Sequence, residues 1–396
     1  MQKHPLLLLF LAAVSFTACL EDAVETTVQS YTDEERNALQ AVLDLPEEVH
    51  DYRVTLPDHV TALGVSTPFN NHDPGRLNQL ATLGRVLFYD TKLSRNEAVS
   101  CASCHDQAHG FADPVALSEG FDGQKTHRNS LALGATISFS TAYGSNNSFN
   151  NGGGGTALFF WDERAGSIAE QAVLTIQDDI EMGMDLDELS TRLNNELYYD
   201  VLFREAFGTN RATPDRITSA LDAFVDAMAA THTRFDEGLN QTNNPNVDFP
   251  NFSASENLGK QLFNQHCASC HGRTMTSNNL NVANNGLEMN YTDPGIGGRT
   301  GFTQDAGKFK VPHLRNVAAT APYMHDGRFA TLAEVVDFYS EGVVNHPNLH
   351  PNLKDGSLPR RLNLTAEEKA ALVDFLGTVT DHQLAADVRF SDPFKQ

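Results

Sequence analysis

The chain has 396 residues, a length typical of two or three domains, and 40% of its residues are hydrophobic, as in ordinary globular proteins. Its 51 acidic and 28 basic residues give a formal charge of −23. Such a charge argues against nucleic acid as a partner and favours a cationic one, although acidity also keeps an exported protein soluble.

The first predicted element is a secretory signal at residues 1–18, whose apolar run Leu6–Val14 is too short to span a bilayer. Cys19 ends a sequence that resembles a bacterial lipobox, so we expect it to carry lipid. Phe16 departs from the usual leucine there, and an ordinary signal with an incidental Cys19 is the alternative. Leu20 matches the pattern of outer-membrane sorting. We therefore expect a periplasmic protein that meets the outer membrane only through a lipid anchor.

Helical patterns dominate the rest of the chain. The stripe Leu77–Leu87 and the proline-opened pattern after Thr213 have helical spacing. In four further helix starts, Ser or Thr is followed three residues later by Glu, which is a capping box: Thr32–Glu35, Ser253–Glu256, Thr331–Glu334 and Thr365–Glu368. Because few runs alternate as strands do, the sequence predicts an all-α protein.

The sequence Cys-Ala-Ser-Cys-His occurs at Cys101–His105 and again at Cys267–His271. C-x-x-C-H is the attachment signature of c-type haem, in which both thiols bind the porphyrin and the histidine binds iron. One copy could be a redox or zinc motif, but two copies use every cysteine except Cys19. We therefore predict two covalent haem c groups, attached and ligated by Cys101, Cys104, His105, Cys267, Cys270 and His271. No cysteine is then left for a structural disulfide.

The order of helix, haem motif, irregular region and helix occurs twice. This repetition predicts two cytochrome c-like domains at residues 76–245 and 250–396, joined by the Asn- and Pro-rich segment Gln241–Pro250. Residues 19–75 would form the lipid-anchored tether and an N-terminal helical extension. The Ser/Asn/Gly tract Gly144–Gly155 is typical of a surface loop.

Five further motifs accompany the haem signatures, in the order Phe160–Arg164, Glu170–Ala172, Ile180–Gly183, Leu314–Val317 and Thr320–Gly327. Together they resemble the bacterial di-haem cytochrome c peroxidase family, which includes the MauG branch. The resemblance extends from about Leu77 to Leu376. It implies two cytochrome c-like domains with a calcium ion between them. It also implies that the first haem reacts with peroxide and that the second haem receives electrons.

The resemblance also assigns residue roles. Glu181 matches the acid/base residue above the first haem, Gln171 a residue that orders that pocket, and Trp161 the residue between the haems. Taken without the motifs, Glu181 could be a solvated helix-start residue and Trp161 a core aromatic. The matching calcium ligands are the side chain of Asn129 and the carbonyl groups of Thr320 and Pro322.

Three positions depart from the family pattern. Phe121 stands where many of its peroxidases carry a histidine that blocks the first iron at rest, so we expect an open first site, with the loop residue His127 as an alternative ligand. Tyr339 occupies the position at which peroxidases of the family carry a methionine ligand to the second iron, whereas the MauG branch uses tyrosine there. Met324 lies in a nearby motif and is an alternative candidate. Glu163 replaces a frequent glycine, for which the sequence offers no explanation.

The leading expectation is a peroxidase that reduces hydrogen peroxide to water with electrons from a small cytochrome c or cupredoxin. The first alternative is MauG-like oxidation of side chains in a partner protein, which Tyr339 and Phe121 favour. A non-catalytic di-haem electron carrier is the second alternative, and Glu181 argues against it. The sequence leaves monomer and homodimer open.

Overall fold

The computed structural model describes residues 31–62, 74–134, 158–275 and 280–395. The predicted signal at 1–18, the lipidation site Cys19 and the tract Gly144–Gly155 lie outside the described residues. No helix among the described ranges is both long and apolar enough to cross a membrane.

Seven helices precede or build the first haem domain. In chain order they are α1 Asp33–Val42, α2 Asp58–Thr61, α3 Pro74–Tyr89, α4 Ile168–Gln177, α5 Leu186–Leu193, α6 Leu197–Phe207 and α7 Pro214–Asp226. The first haem motif follows α3 and opens with the short 3₁₀ turn Cys101–Ser103.

Six helices follow in the second half of the chain: α8 Arg234–Thr242, α9 Ala254–His266, α10 Ala268–His271, α11 Ile296–Thr300, α12 Leu332–Asp337 and α13 Ala366–Gly377. The described strands are two residues long: β1 Val282–Ala283 pairs antiparallel with β2 Phe309–Lys310, and β3 Lys354–Asp355 pairs antiparallel with β4 Leu358–Pro359. The prediction of an all-α protein is confirmed.

The predicted helix starts carry the expected caps. Thr32, Ser253, Thr331 and Thr365 each form a reciprocal capping box with a glutamate three residues later. Thr213 accepts from the backbone of Arg216 with Pro214 in the first turn. A cap of this kind stabilises a helix by about 1 kcal/mol, so these starts are fixed by local chemistry.

Each half of the molecule is built on one close helix crossing. In the first, α3 crosses α7 at Gly84, where an added Cβ would lie 2.0 Å from the carbonyl oxygen of Ala220. In the second, α9 crosses α13 at Gly259, where the same atom would lie 1.9 Å from the carbonyl oxygen of Ala371. Only glycine allows backbones this close, so each haem-bearing half depends on its own glycine crossing of the same kind.

Two hydrophobic cores surround these crossings, and the chain passes between them more than once. The first core includes Phe88 and Phe224, together with Tyr52 from the N-terminal extension and Phe390 from the C-terminal segment. The second core begins with Phe235 of α8. Both ends of the described chain are therefore packed onto the first haem domain.

Candidate haem pockets and the bridge between them

The first haem motif lines a cavity of about 710 Å³. Cys101 and Cys104 are free of disulfides, and the His105 Nδ1 atom lies 2.9 Å from the carbonyl oxygen of Phe111. That contact requires Nδ1–H as donor, which leaves Nε2 free for a metal. Burial lowers the pKa of His105, so the imidazole stays neutral, as an iron ligand must be.

The second motif has the same construction in a second cavity. Cys267 and Cys270 are free thiols, and His271 Nδ1 lies 3.1 Å from the carbonyl oxygen of Pro312. Burial lowers the pKa of His271 to about 4. Paired free thiols, an oriented neutral imidazole and an adjoining cavity fit a covalently attached haem at both places.

Glu181 and Gln171 both line the first cavity. Glu181 lies in the turn after α4, and its backbone N–H donates to the Oδ1 of Asp178 at 3.0 Å. Burial, followed by the nearby Asp178 charge, raises the pKa of Glu181 to about 7; the Thr175 hydroxyl and Arg164 oppose this. The structure thus places Glu181 beside the motif of the first haem rather than at the start of a helix.

Phe121 packs beside the Glu181 turn. Its N–H donates to the Glu181 carbonyl at 3.0 Å, and an added Cβ on Gly183 would lie 2.5 Å from its ring. The described residues that line the first cavity include the exposed His127 but not Phe121. The backbone of Phe121 therefore holds the Glu181 turn, and its apolar ring packs closely against Gly183.

Tyr339 lies in the π-helical turn Phe338–Gly342 that continues α12. It lines the second cavity together with His271, and its Oη accepts from the Asn285 Nδ2 at 3.3 Å. The same Nδ2 lies 3.6 Å from the Sδ of Met324. Burial raises the pKa of Tyr339 to about 12, and the Asn285 hydrogen bond opposes the rise. Single π-turns inside helices frequently occur at functional sites.

Trp161 lines both cavities and is 9% exposed. Its indole Nε1–H donates to the carbonyl oxygen of Asn129 at 2.9 Å, and the Asn129 N–H donates to the carbonyl oxygen of His325 at 2.7 Å. One continuous set of hydrogen bonds therefore runs from the indole through the backbone of Asn129 to His325 of the second domain.

Asn129 also has the geometry of an oxygen ligand. Its Nδ2 donates to the carbonyl oxygens of Val115 and Ala116, both at 3.2 Å, which leaves Oδ1 on the opposite side of the amide. Thr320 and Pro322 line the same cavity as Asn129. Among the described residues, no three His, Cys, Asp or Glu side chains group as metal ligands, so a calcium site here depends on amide and carbonyl oxygens.

Arg128 connects the domains, and sequence reasoning missed its role. It binds Asp162 at 2.7 Å and Asp293 at 2.6 Å, and these carboxylates come from different halves of the chain. Arg128 directly precedes the predicted calcium ligand Asn129, but nothing local in the sequence indicates ion-pair partners so far along the chain. The hydrogen bond from Asn285 to Tyr339 was missed for the same reason.

Two haem-attachment pockets that share a tryptophan define a di-haem c-type oxidoreductase. A family profile described as di-haem cytochrome c peroxidase matches residues 78–244, and one described as cytochrome c matches residues 257–380. The methylamine utilization protein MauG of Paracoccus denitrificans is 32% identical over 354 residues, with 77% of this chain and 89% of that protein covered. The chain belongs to the di-haem cytochrome c peroxidase/MauG family.

Other relatives include both cytochrome c peroxidases and MauG-like proteins. Cytochrome c551 peroxidase of Nitrosomonas europaea is 28% identical over 308 residues, covering 77% of this chain and 80% of that protein. A MauG-like protein associated with microbial copper homeostasis has a similar structure, with a TM-score of 0.67, 29% identity, and coverage of 88% of this chain and 99% of that one. The relatives thus establish two c-type haem domains and leave the partner of the reaction open.

Proposed function

We propose that this protein is a MauG-like di-haem enzyme that uses hydrogen peroxide to oxidise a side chain of a partner protein. The observation that carries the proposal is Tyr339, which lines the second haem pocket in its own π-turn, where peroxidases of the family use methionine. An oxygen donor lowers the potential of a haem relative to thioether sulfur, which makes the second haem easier to oxidise. MauG at 32% identity and a MauG-like solved structure support this choice.

The first pocket supplies the acid–base chemistry. A haem held by Cys101, Cys104 and His105 would supply the iron that binds peroxide. Glu181 then takes a proton from the inner peroxide oxygen and returns one to the outer oxygen, so that water leaves. A pKa of about 7 suits both transfers at neutral pH, because each protonation state is then well populated. Gln171 lines the same pocket and helps to orient the bound oxygens.

Trp161 provides the connection between the pockets. An indole that lines both cavities can pass electrons from the second haem towards the first in two shorter steps. Asn129 fixes this indole through its carbonyl oxygen, and the proposed calcium ion at Asn129, Thr320 and Pro322 would hold Asn129 in place. Removal of calcium by a chelator should therefore change both the haem spectra and the peroxide reaction.

Reduction of peroxide with a small cytochrome c or cupredoxin as donor is the second candidate function. The peroxidase of Nitrosomonas europaea at 28% identity favours it. The formal charge of −23 suits a cationic donor. A non-catalytic carrier accounts for neither the placement of Glu181 nor its raised pKa.

Peroxide titration of the oxidised holoprotein separates the two enzymes. The MauG-like function predicts an optically distinct oxidised form that persists without donor and decays when the partner is added. A protein of copper homeostasis is a first partner to test, given the solved MauG-like relative. Rapid turnover only with reduced cytochrome c would instead establish the peroxidase. Tyr339→Met is the informative variant, since it should shift the protein towards the second behaviour.

Export and anchoring complete the proposal. We place the protein in the periplasm, held at the outer membrane by lipid on Cys19. Labelled palmitate should enter the wild type and fail to enter Cys19→Ser. Incorporation into both proteins would contradict the anchor without affecting the proposed reaction.

A further inference from the structure

The turn that carries Trp161 is held by two basic residues of the second domain, Lys310 and Arg299. The Lys310 backbone N–H donates to the Trp161 carbonyl at 2.8 Å, and the Lys310 Nζ donates to the Leu158 carbonyl at 2.8 Å. Arg299 Nε donates to the Asp162 carbonyl at 3.1 Å. The backbone on both sides of the indole is therefore fixed from across the domain interface.

Glu163 faces this interface from the same turn. Its side chain is 8% exposed, and its Oε1 lies 4.0 Å from the Lys310 Nζ, whose side chain is 13% exposed. Burial raises the pKa of Glu163, while Lys310 and Arg299 oppose the rise. Burial also lowers the pKa of Lys310, and Glu163 opposes that change. Each group thus favours the charged form of the other.

The backbone of Glu163 makes the residue unusual. Its φ of 56° is in the left-handed region, which explains why glycine is frequent at this place in the family. A side chain at this φ costs backbone energy that glycine avoids. Because the Lys310 side chain is only 13% exposed, loss of the carboxylate would leave its ammonium group largely desolvated and without a counter-charge.

We propose that Glu163 is a positioning residue of the electron bridge, whose carboxylate neutralises Lys310 beside Trp161 and so keeps the indole oxidisable. This inference rests on the proposed role of Trp161 between the haems. When peroxide takes electrons at the first pocket, the indole of Trp161 would give one electron to that pocket and would regain one from a haem in the second pocket. A nearby uncompensated positive charge opposes loss of the electron, and a negative charge favours it.

Charge variants of the holoprotein test this inference. The measurement is the rate at which the second haem is oxidised after mixing with peroxide in a stopped-flow spectrometer. Glu163→Gln should slow this step about tenfold, Lys310→Met should accelerate it, and the double variant should return to within about twofold of wild type. Structural damage would slow both single variants, so opposite signs are the required result.

Two controls keep the outcome interpretable. Trp161 is the only tryptophan, so the indole Raman bands that report its hydrogen bond to Asn129 should stay unchanged in the charge variants. The exposed pair Glu119 and Lys125, 3.2 Å apart, provides matched surface variants that should leave the rate unchanged.

The inference and the proposed bridge fail in different ways. If Trp161→Phe leaves the rate at the wild-type value, the bridge itself is wrong. If Trp161→Phe slows the step but the Glu163 and Lys310 variants change it in the same direction or not at all, only the charge compensation is refuted.

Discussion

Replacement of Glu181 by glutamine tests the acid–base assignment through both stability and rate. The rise of its pKa from 4.5 to about 7, caused first by burial, corresponds to about 3 kcal/mol between the ionised and protonated forms. Since the folded protein favours the protonated acid, the wild type loses stability as pH rises from about 4.5 through 7. Glu181→Gln removes this loss, so the stability of the variant minus that of the wild type should be up to about 3 kcal/mol larger above pH 8 than at pH 4.

The rate of the peroxide reaction should rise with pH over the range in which the stability of the wild type falls. Because Glu181 must be ionised to take the first proton, the wild-type rate should rise with pH through about 7 and then level off. Glu181→Gln cannot take the proton and should react about 10²- to 10⁴-fold more slowly, without that pH step. Stopped-flow mixing with peroxide and thermal unfolding across pH measure the two effects.

A matched control is Glu188→Gln on α5, since that side chain is 62% exposed and only 3.6 Å from Arg192. A surface pair of this kind contributes less than about 1 kcal/mol, so its rate and pH profile should match the wild type. A Glu181→Gln protein with the wild-type rate and the same pH step would refute the assignment of Glu181.

Three further predictions concern the second haem and the packing of the domains. Tyr339→Phe should alter the optical spectrum of the second haem alone, and an unchanged spectrum would reduce Tyr339 to core packing. Gly84→Ala should destabilise the fold by about 3 kcal/mol or more, because the added Cβ would lie 2.0 Å from a backbone oxygen. Gly377→Ala is the control, since no atom lies within 4 Å of its added Cβ, and it should leave stability unchanged. Equal melting temperatures for the two variants would contradict the close helix crossing at Gly84. Arg128→Met should cost about 3 kcal/mol in chemical unfolding, because it leaves Asp293 without its cation and Asp162 with Arg164 alone. A loss below about 1 kcal/mol would show that the domains do not depend on this contact.

The secondary structure and the haem attachment could be read from the sequence because their causes are local. A capping box needs two residues three positions apart, as at Ser253 and Glu256, and its geometry is set by that turn alone. The five-residue haem motif likewise carries its own chemistry. Even the histidine tautomers follow a shared pattern in the structure, although their acceptors, Phe111 and Pro312, could not be named from the motif.

The candidate roles needed a family resemblance, and their environments needed the fold. From spacing alone Glu181 reads as a solvated residue; its raised pKa arises because the turn after α4 buries it in the first cavity. Glu163 had no explanation in the sequence, and the structure supplies one in its φ of 56° and in Lys310. Backbone conformation and buried charge depend on what packs against a residue, which local sequence does not contain.

The amino-acid order alone specified the helices, two attachment sites for haem and the acidic character of the surface, since each depends on residues adjacent in the chain or on composition. The tertiary structure decided how those pieces work together. It placed Trp161 in the wall of both cavities, directed Asn285 to Tyr339 and joined Arg128 to Asp293. Groups separated by tens to hundreds of residues meet only when the two cores pack, and the proposed electron path between the haem pockets would cross that interface.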